Sequence, residues 1–185
     1  DFELKIKHVL EKNQVSVCWE IINHSNETMY FTIGGHPAFN VPAQGNDAKK
    51  EDYLLTFNGE KSLTYLLLDP ASGTALPDQT KTLELTDGTC HIDAHMFDND
   101  ALIFDNQIEK AGIAFPDGTP YLELTCHRFP NFGIWSVPGS SFVCLEPWMG
   151  RCDDCGFKGD LAEKTNINAL DVDEIFNASY EIKIY

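Results

Sequence analysis

Alternation at a period of two is the feature that most limits what this chain can become. Phe2, Leu4 and Ile6 alternate with Glu3, Lys5 and Lys7, and related patterns recur in residues 14–22, in 80–85 and in Tyr180, Ile182 and Ile184 near the end. Successive side chains of a strand point to opposite faces, so this pattern buries one face of a sheet and wets the other. Turn signals separate the segments, among them Glu11-Lys12-Asn13, Asn58-Gly59-Glu60 and Pro116-Asp117-Gly118-Thr119-Pro120. Further strands are expected at 29–33, 53–57, 62–68, 101–104, 113–115, 121–127 and 142–145, with a loop over 69–78 and a short helical turn over 90–98. Many short strands without a convincing helix predict an all-β fold, an antiparallel β-sandwich or barrel.

With 185 residues and 43% hydrophobic content, the chain can form one domain over 1–185 with a sizeable core. Thirteen basic residues against twenty-nine acidic ones leave a formal charge of −16, which repels nucleic-acid backbones and anionic membranes. No stretch approaches the length of a membrane span, and Asp1-Phe2-Glu3-Leu4 lacks the basic start and apolar core of a signal peptide. Cys18, Cys126 and Cys144 fall in predicted strands, where a free thiol acts as a small hydrophobe, so a reduced, cytoplasmic setting is expected. Cys152-Asp153-Asp154-Cys155 has the C-x-x-C spacing without a second ligand pair, and is expected to be a surface loop beside the pocket.

Two stretches carry chemistry. In Ile33-Gly34-Gly35-His36-Pro37-Ala38-Phe39-Asn40, paired glycines open backbone angles closed to other residues and Pro37 pins the next turn, so His36 is presented from a rigid strand end. Histidine exchanges protons near neutral pH. The competing reading is a strand-end histidine bonded to a carbonyl. In Cys144-Leu145-Glu146-Pro147-Trp148, a carboxylate ends an apolar strand beside an aromatic ring, where desolvation makes it a better base. The competing reading there is an ion pair with Arg151.

Together with Asn99-Asp100-Ala101-Leu102-Ile103-Phe104 and Phe132-Gly133-Ile134-Trp135-Ser136-Val137-Pro138-Gly139, these stretches resemble the aldose 1-epimerase (galactose mutarotase) superfamily, and within it the LacX-like branch. The resemblance implies a galactose mutarotase-like β-sandwich, with His36 as acid toward the ring oxygen and Glu146 as base toward the anomeric hydroxyl of a free aldose. Asp100, Phe39, Trp135 and Trp148 are the expected sugar contacts, although Asp100 also reads as an ordinary turn residue. Family members are longer, so amino-terminal strands and part of the sugar pocket are expected to be missing from this chain. The implied reaction uses no cofactor or metal, and its partner is a small sugar.

Three alternatives stay open. A carbohydrate-binding or sensing domain could keep the pocket without turnover. Cys90, His91 and His95 offer metal-ligand types at close spacing. Residues 127–132, with His127, Arg128 and Phe129, read equally as a pocket wall or as a core aromatic cluster.

Overall fold

The computed structural model describes all 185 residues and is built of strands with two short 3-10 turns. In chain order the strands are β1 (Phe2–Glu11), β2 (Gln14–Asn23), β3 (Met29–Phe31), β4 (Ile33–Gly34), β5 (Ala38–Asn40), β6 (Leu54–Phe57), β7 (Ser62–Leu68) and β8 (Ala75–Glu84). They continue with β9 (Thr89–His91), β10 (Leu102–Asp105), β11 (Lys110–Ala114), β12 (Pro120–Thr125), β13 (Asn131–Trp135), β14 (Phe142–Met149), β15 (Asn168–Leu170) and β16 (Ile175–Ile184). One sheet runs β1-β2-β16-β12-β11-β6-β9 and the other β4-β14-β13-β10-β7-β8, with β5 also paired to β14. All pairings between named strands are antiparallel, which bears out the expected all-β fold.

The period-two pattern explains the core. Val17, Trp19, Leu55, Ile113, Leu122 and Leu124 from the first sheet meet Leu63, Leu102, Phe104, Phe132, Ile134, Val143 and Leu145 from the second in one buried cluster. Residues between these in sequence must then point outward from the second sheet. On β14 those are Cys144, Glu146 and Trp148, on β13 Gly133 and Trp135, and on β10 Ile103. A smaller apolar cluster of Leu66, Ala75 and Ile103, with Leu68, Ala101, Trp148 and Cys152 against it, lies on this second face.

Several boundaries differ from expectation for local reasons. The strand expected over 29–33 divides at Thr32, with β3 leaving to pair with β15 while β4 joins β14. The loop expected over 69–78 is strand from Ala75 onward, and Pro77 is tolerated because β8 is the sheet's edge. Cys90 and His91, expected in a helical turn, instead lie on β9, where Cys90 pairs with Leu55. Cys90 thereby packs against the main core.

Trp148 lies flat over its neighbours because both are glycines. A Cβ on Gly34 would stand 2.5 Å from Trp148 Cδ1, and one on Gly133 would stand 2.5 Å from Cη2 and Cζ2 of the same ring. Both distances are sterically forbidden, so a side chain at either position would lift the indole off the sheet. Gly133→Ala is expected to cost about 1–3 kcal/mol, the usual range for overpacking, with a shift in tryptophan emission. Urea unfolding followed by fluorescence checks both effects.

Candidate active site

Glu146 lies on β14, and the segment that carries His36 is pinned to the same strand. Glu146 lies opposite Gly133 in the β13 register, and its residue is only 2% exposed. The segment carrying His36 is fastened on either side of that position. Gly35 N–H donates to the Pro147 carbonyl at 2.9 Å, and Leu145 N–H donates to the Pro37 carbonyl at 3.3 Å. These bonds bring the His36 Nε2 to 3.5 Å from Glu146 Oε2.

The glycines before His36 serve a different purpose from the one expected of them. Neither Gly34 nor Gly35 has a left-handed backbone. They are required by close approach: Gly34 admits the Trp148 ring, and a Cβ on Gly35 would fall 2.7 Å from the Tyr180 hydroxyl.

Burial pushes the Glu146 carboxyl up to about 7, Trp148 opposes that shift by hydrogen bonding, and the Asp100 charge adds to it. The ion pair with Arg151 that competed with a catalytic reading does not form. Arg151 Nη1 donates to Asp154 Oδ1 at 2.7 Å, and its Nε donates to Asp105 Oδ2 at 3.3 Å. The basic side chain nearest the Glu146 carboxyl is His36, at 3.5 Å. Asp100 adopts a left-handed backbone, φ 73°, and its Oδ1 accepts from the Ala101 N–H at 2.8 Å. A non-glycine residue held in that region marks a turn fixed by its surroundings.

A cavity of about 330 Å³ opens here, and His36, Asp100, Trp135, Glu146 and Trp148 all line it. The His36 and Trp135 rings meet edge to face at 5.9 Å. Phe39 is the exception among the residues expected at the site. It sits on β5 opposite Val143 and packs against the main core instead of the cavity. Cys152 lines it too, as the loop expected beside the pocket, while sequence reading missed Leu68, Gly73, Ala101 and Ile103, which complete the lining. Ala101 and Ile103 could have been found from the alternation that follows Asp100, whereas Leu68 and Gly73 arrive through tertiary packing. A larger cleft of about 530 Å³ between β1 and residues 25–33 has no histidine and no buried carboxylate.

The stretch at 127–132 does not line the cavity: Phe129 and Phe132 belong to the core, while His127 and Arg128 are exposed. Phe129 stacks among Trp19 and Tyr180, and His127 Nδ1 lies 3.3 Å from Glu109 Oε2. Cys90, His91 and His95 form no shared ligand cluster, and His95 Nδ1 is instead 2.8 Å from Asp98 Oδ2. All six cysteines are free, and Cys152 lies beside the cavity. The three ligand types that do converge are His36, Cys144 and Glu146, whose ligand atoms lie within 4.8 Å of one another.

The buried carboxylate predicts a pH-dependent stability. A carboxyl whose folded pKa lies above its usual value of 4.5 favours the fold while protonated, and that advantage is lost as pH rises through about 7. Glu146→Gln is therefore expected to gain about 2–3 kcal/mol on the parent between pH 5 and pH 8. Urea unfolding at the two pH values measures this, and identical pH dependence in both proteins would contradict it.

No family model matches the chain. It is 29% identical over 187 residues to the LacX proteins, plasmid and chromosomal, of Lactococcus lactis subsp. lactis, covering 99% of this chain and 62% of theirs. The chain thus spans about 62% of the length of these curated relatives. Its structure superposes on a galactose mutarotase related enzyme from Lactobacillus acidophilus with a TM-score of 0.89 and 27% identity, over 100% of this chain and 61% of that one. A galactose mutarotase-like protein from Lactobacillus casei shares the fold, with a TM-score of 0.82 at 22% identity over 100% of this chain and 63% of the other. No helix of this structure is long and apolar enough to cross a membrane. Sequence and architecture together support the resemblance: the chain is similar to the LacX proteins and has the galactose mutarotase-like fold.

Proposed function

We propose that this chain forms the acid–base site of an aldose 1-epimerase-like isomerase, one that interconverts the α and β anomers of a free hexose or related aldose. The observation that carries this reading is a buried carboxylate, Glu146, held 3.5 Å from the exposed imidazole of His36 in a cavity flanked by Trp135 and Trp148. Anomer exchange requires a proton to leave the anomeric hydroxyl while another reaches the ring oxygen. Those two oxygens share one carbon, so the groups serving them must also be near neighbours. Glu146 takes the hydroxyl proton, His36 protonates the ring oxygen, and the C1–O5 bond breaks to give the open-chain aldehyde. Rotation about C1–C2 turns the other carbonyl face inward, and the same two groups exchange roles as the ring closes. The tryptophan faces suit the apolar side of a sugar ring, and Asp100, which lines the same cavity, is the proposed acceptor for its hydroxyls. The chemistry consists of proton transfers and calls for no nucleotide or metal.

Polarimetry of freshly dissolved α-D-glucose and α-D-galactose tests this reading. The parent accelerates the approach to equilibrium, and Glu146→Gln and His36→Asn each lose at least about a hundredfold of that rate, the usual contribution of one positioned proton transfer. Because the base must be ionised and the acid protonated, the rate rises as Glu146 ionises toward about 7 and falls again at higher pH as the acid loses its proton. Sugar-dependent tryptophan fluorescence without acceleration of either anomer would instead favour a carbohydrate-binding domain.

A further inference from the structure

Cys144 takes no part in the proton transfers proposed above, yet it shares their corner of the sheet. It sits two residues before Glu146 on β14, so both side chains emerge on the same face. Both residues are almost fully buried, at 1% and 2% exposure. Their ligand atoms and that of His36 all lie within 4.8 Å of one another. The nearest fixed cation along the chain, Arg151, is already held by Asp105 and Asp154. The corner therefore holds an imidazole, a thiol and a carboxyl with no resident positive charge except a protonated His36.

Zinc takes imidazole nitrogen and carboxylate oxygen at about 2.0–2.2 Å and thiolate sulfur at about 2.3 Å, which sets its ligand atoms roughly 3.3–3.8 Å apart in a tetrahedron. The His36 to Glu146 separation of 3.5 Å already satisfies that spacing. The thiol lies within 4.8 Å of both other ligand atoms, so the closure still needed is at most about 1.5 Å. Of the three side chains His36 has the most room to adjust, at 61% exposed, whereas Cys144 and Glu146 keep the two-residue spacing of one strand. A thiolate among the ligands selects a soft or borderline cation over magnesium or calcium. Three protein ligands would leave a fourth position open toward the cavity.

We propose that His36, Cys144 and Glu146 form a binding site for a thiophilic divalent cation of the zinc class, which occupies the proton-transfer pair and excludes the sugar. Binding deprotonates the Cys144 thiol and the Glu146 carboxyl, takes the neutral form of His36, and releases the displaced protons to solvent. The cation acts as an inhibitor and not as a cofactor, because the two groups needed for proton exchange become its ligands. The inhibitory part rests on the proposed epimerase reading, while cation binding does not.

Titration of the metal-free protein with Co²⁺ tests the site without any turnover. The expected result is one equivalent bound with a thiolate-to-cobalt charge-transfer band, displaced by Zn²⁺. The band disappears in Cys144→Ser and persists in Cys155→Ser, and affinity falls at least about tenfold in His36→Gln. His36 is exposed, so its variant remains informative if Cys144→Ser fails to fold. Absence of the band, its survival in Cys144→Ser, its loss in Cys155→Ser, or unchanged affinity in His36→Gln overturns the site. If the site binds Zn²⁺ and the parent shows mutarotation that Zn²⁺ leaves unchanged, the inhibitory role is overturned while the epimerase reading stands.

Discussion

A carboxylate removed from water is held against its own preference for solvation, and the second sheet is built so that Glu146 has no escape from that position. β13 and the β4 to β5 segment flank its strand on both sides, and backbone bonds from Gly35 and to Pro37 tie the chain down next to it. Asp100 reinforces the effect, and the one strong cation nearby in sequence is committed to other acids. The result is a carboxyl balanced near neutrality beside a histidine, at the mouth of an aromatic cavity. Such an environment suits a group that must both accept and return a proton.

Geometry and electrostatics here come from the same pattern. Alternation along β14 sends Val143 and Leu145 into the core and leaves Cys144, Glu146 and Trp148 on the other face. A one-residue slip of this strand would reverse every one of those assignments. Gly34 and Gly133 then let the Trp148 indole lie across the sheet, where it lines the cavity next to the carboxylate. Core packing thus fixes the register, and the register fixes the site.

Much of this was legible in the sequence. The two-residue period gave the fold class, and the Glu11-Lys12-Asn13 turn appears as a β1 to β2 hairpin in which Glu11 faces Gln14. His36, Glu146, Asp100, Trp135 and Trp148 were all singled out and all line one cavity. What could not be read was contact made only in three dimensions. Phe39 belongs to the same motif as His36, but β5 turns it toward Val143 and the core. The glycine pair suggested unusual backbone angles, whereas the demand for it comes from Trp148 and Tyr180, more than a hundred residues away in sequence. Arg151 is a natural partner for Glu146 by sequence distance, but Asp105 on β10 and Asp154 hold it instead.

The most direct test of the account is a titration of the Glu146 side-chain carboxyl itself, followed by its carbon chemical shift in selectively labelled protein. The account predicts a midpoint near about 7, and a downward move when Asp100→Asn removes the neighbouring charge. A midpoint at the usual 4.5, unaffected by Asp100→Asn, would show an ordinary solvated carboxylate and contradict the claim that burial prepares Glu146 to act as a base.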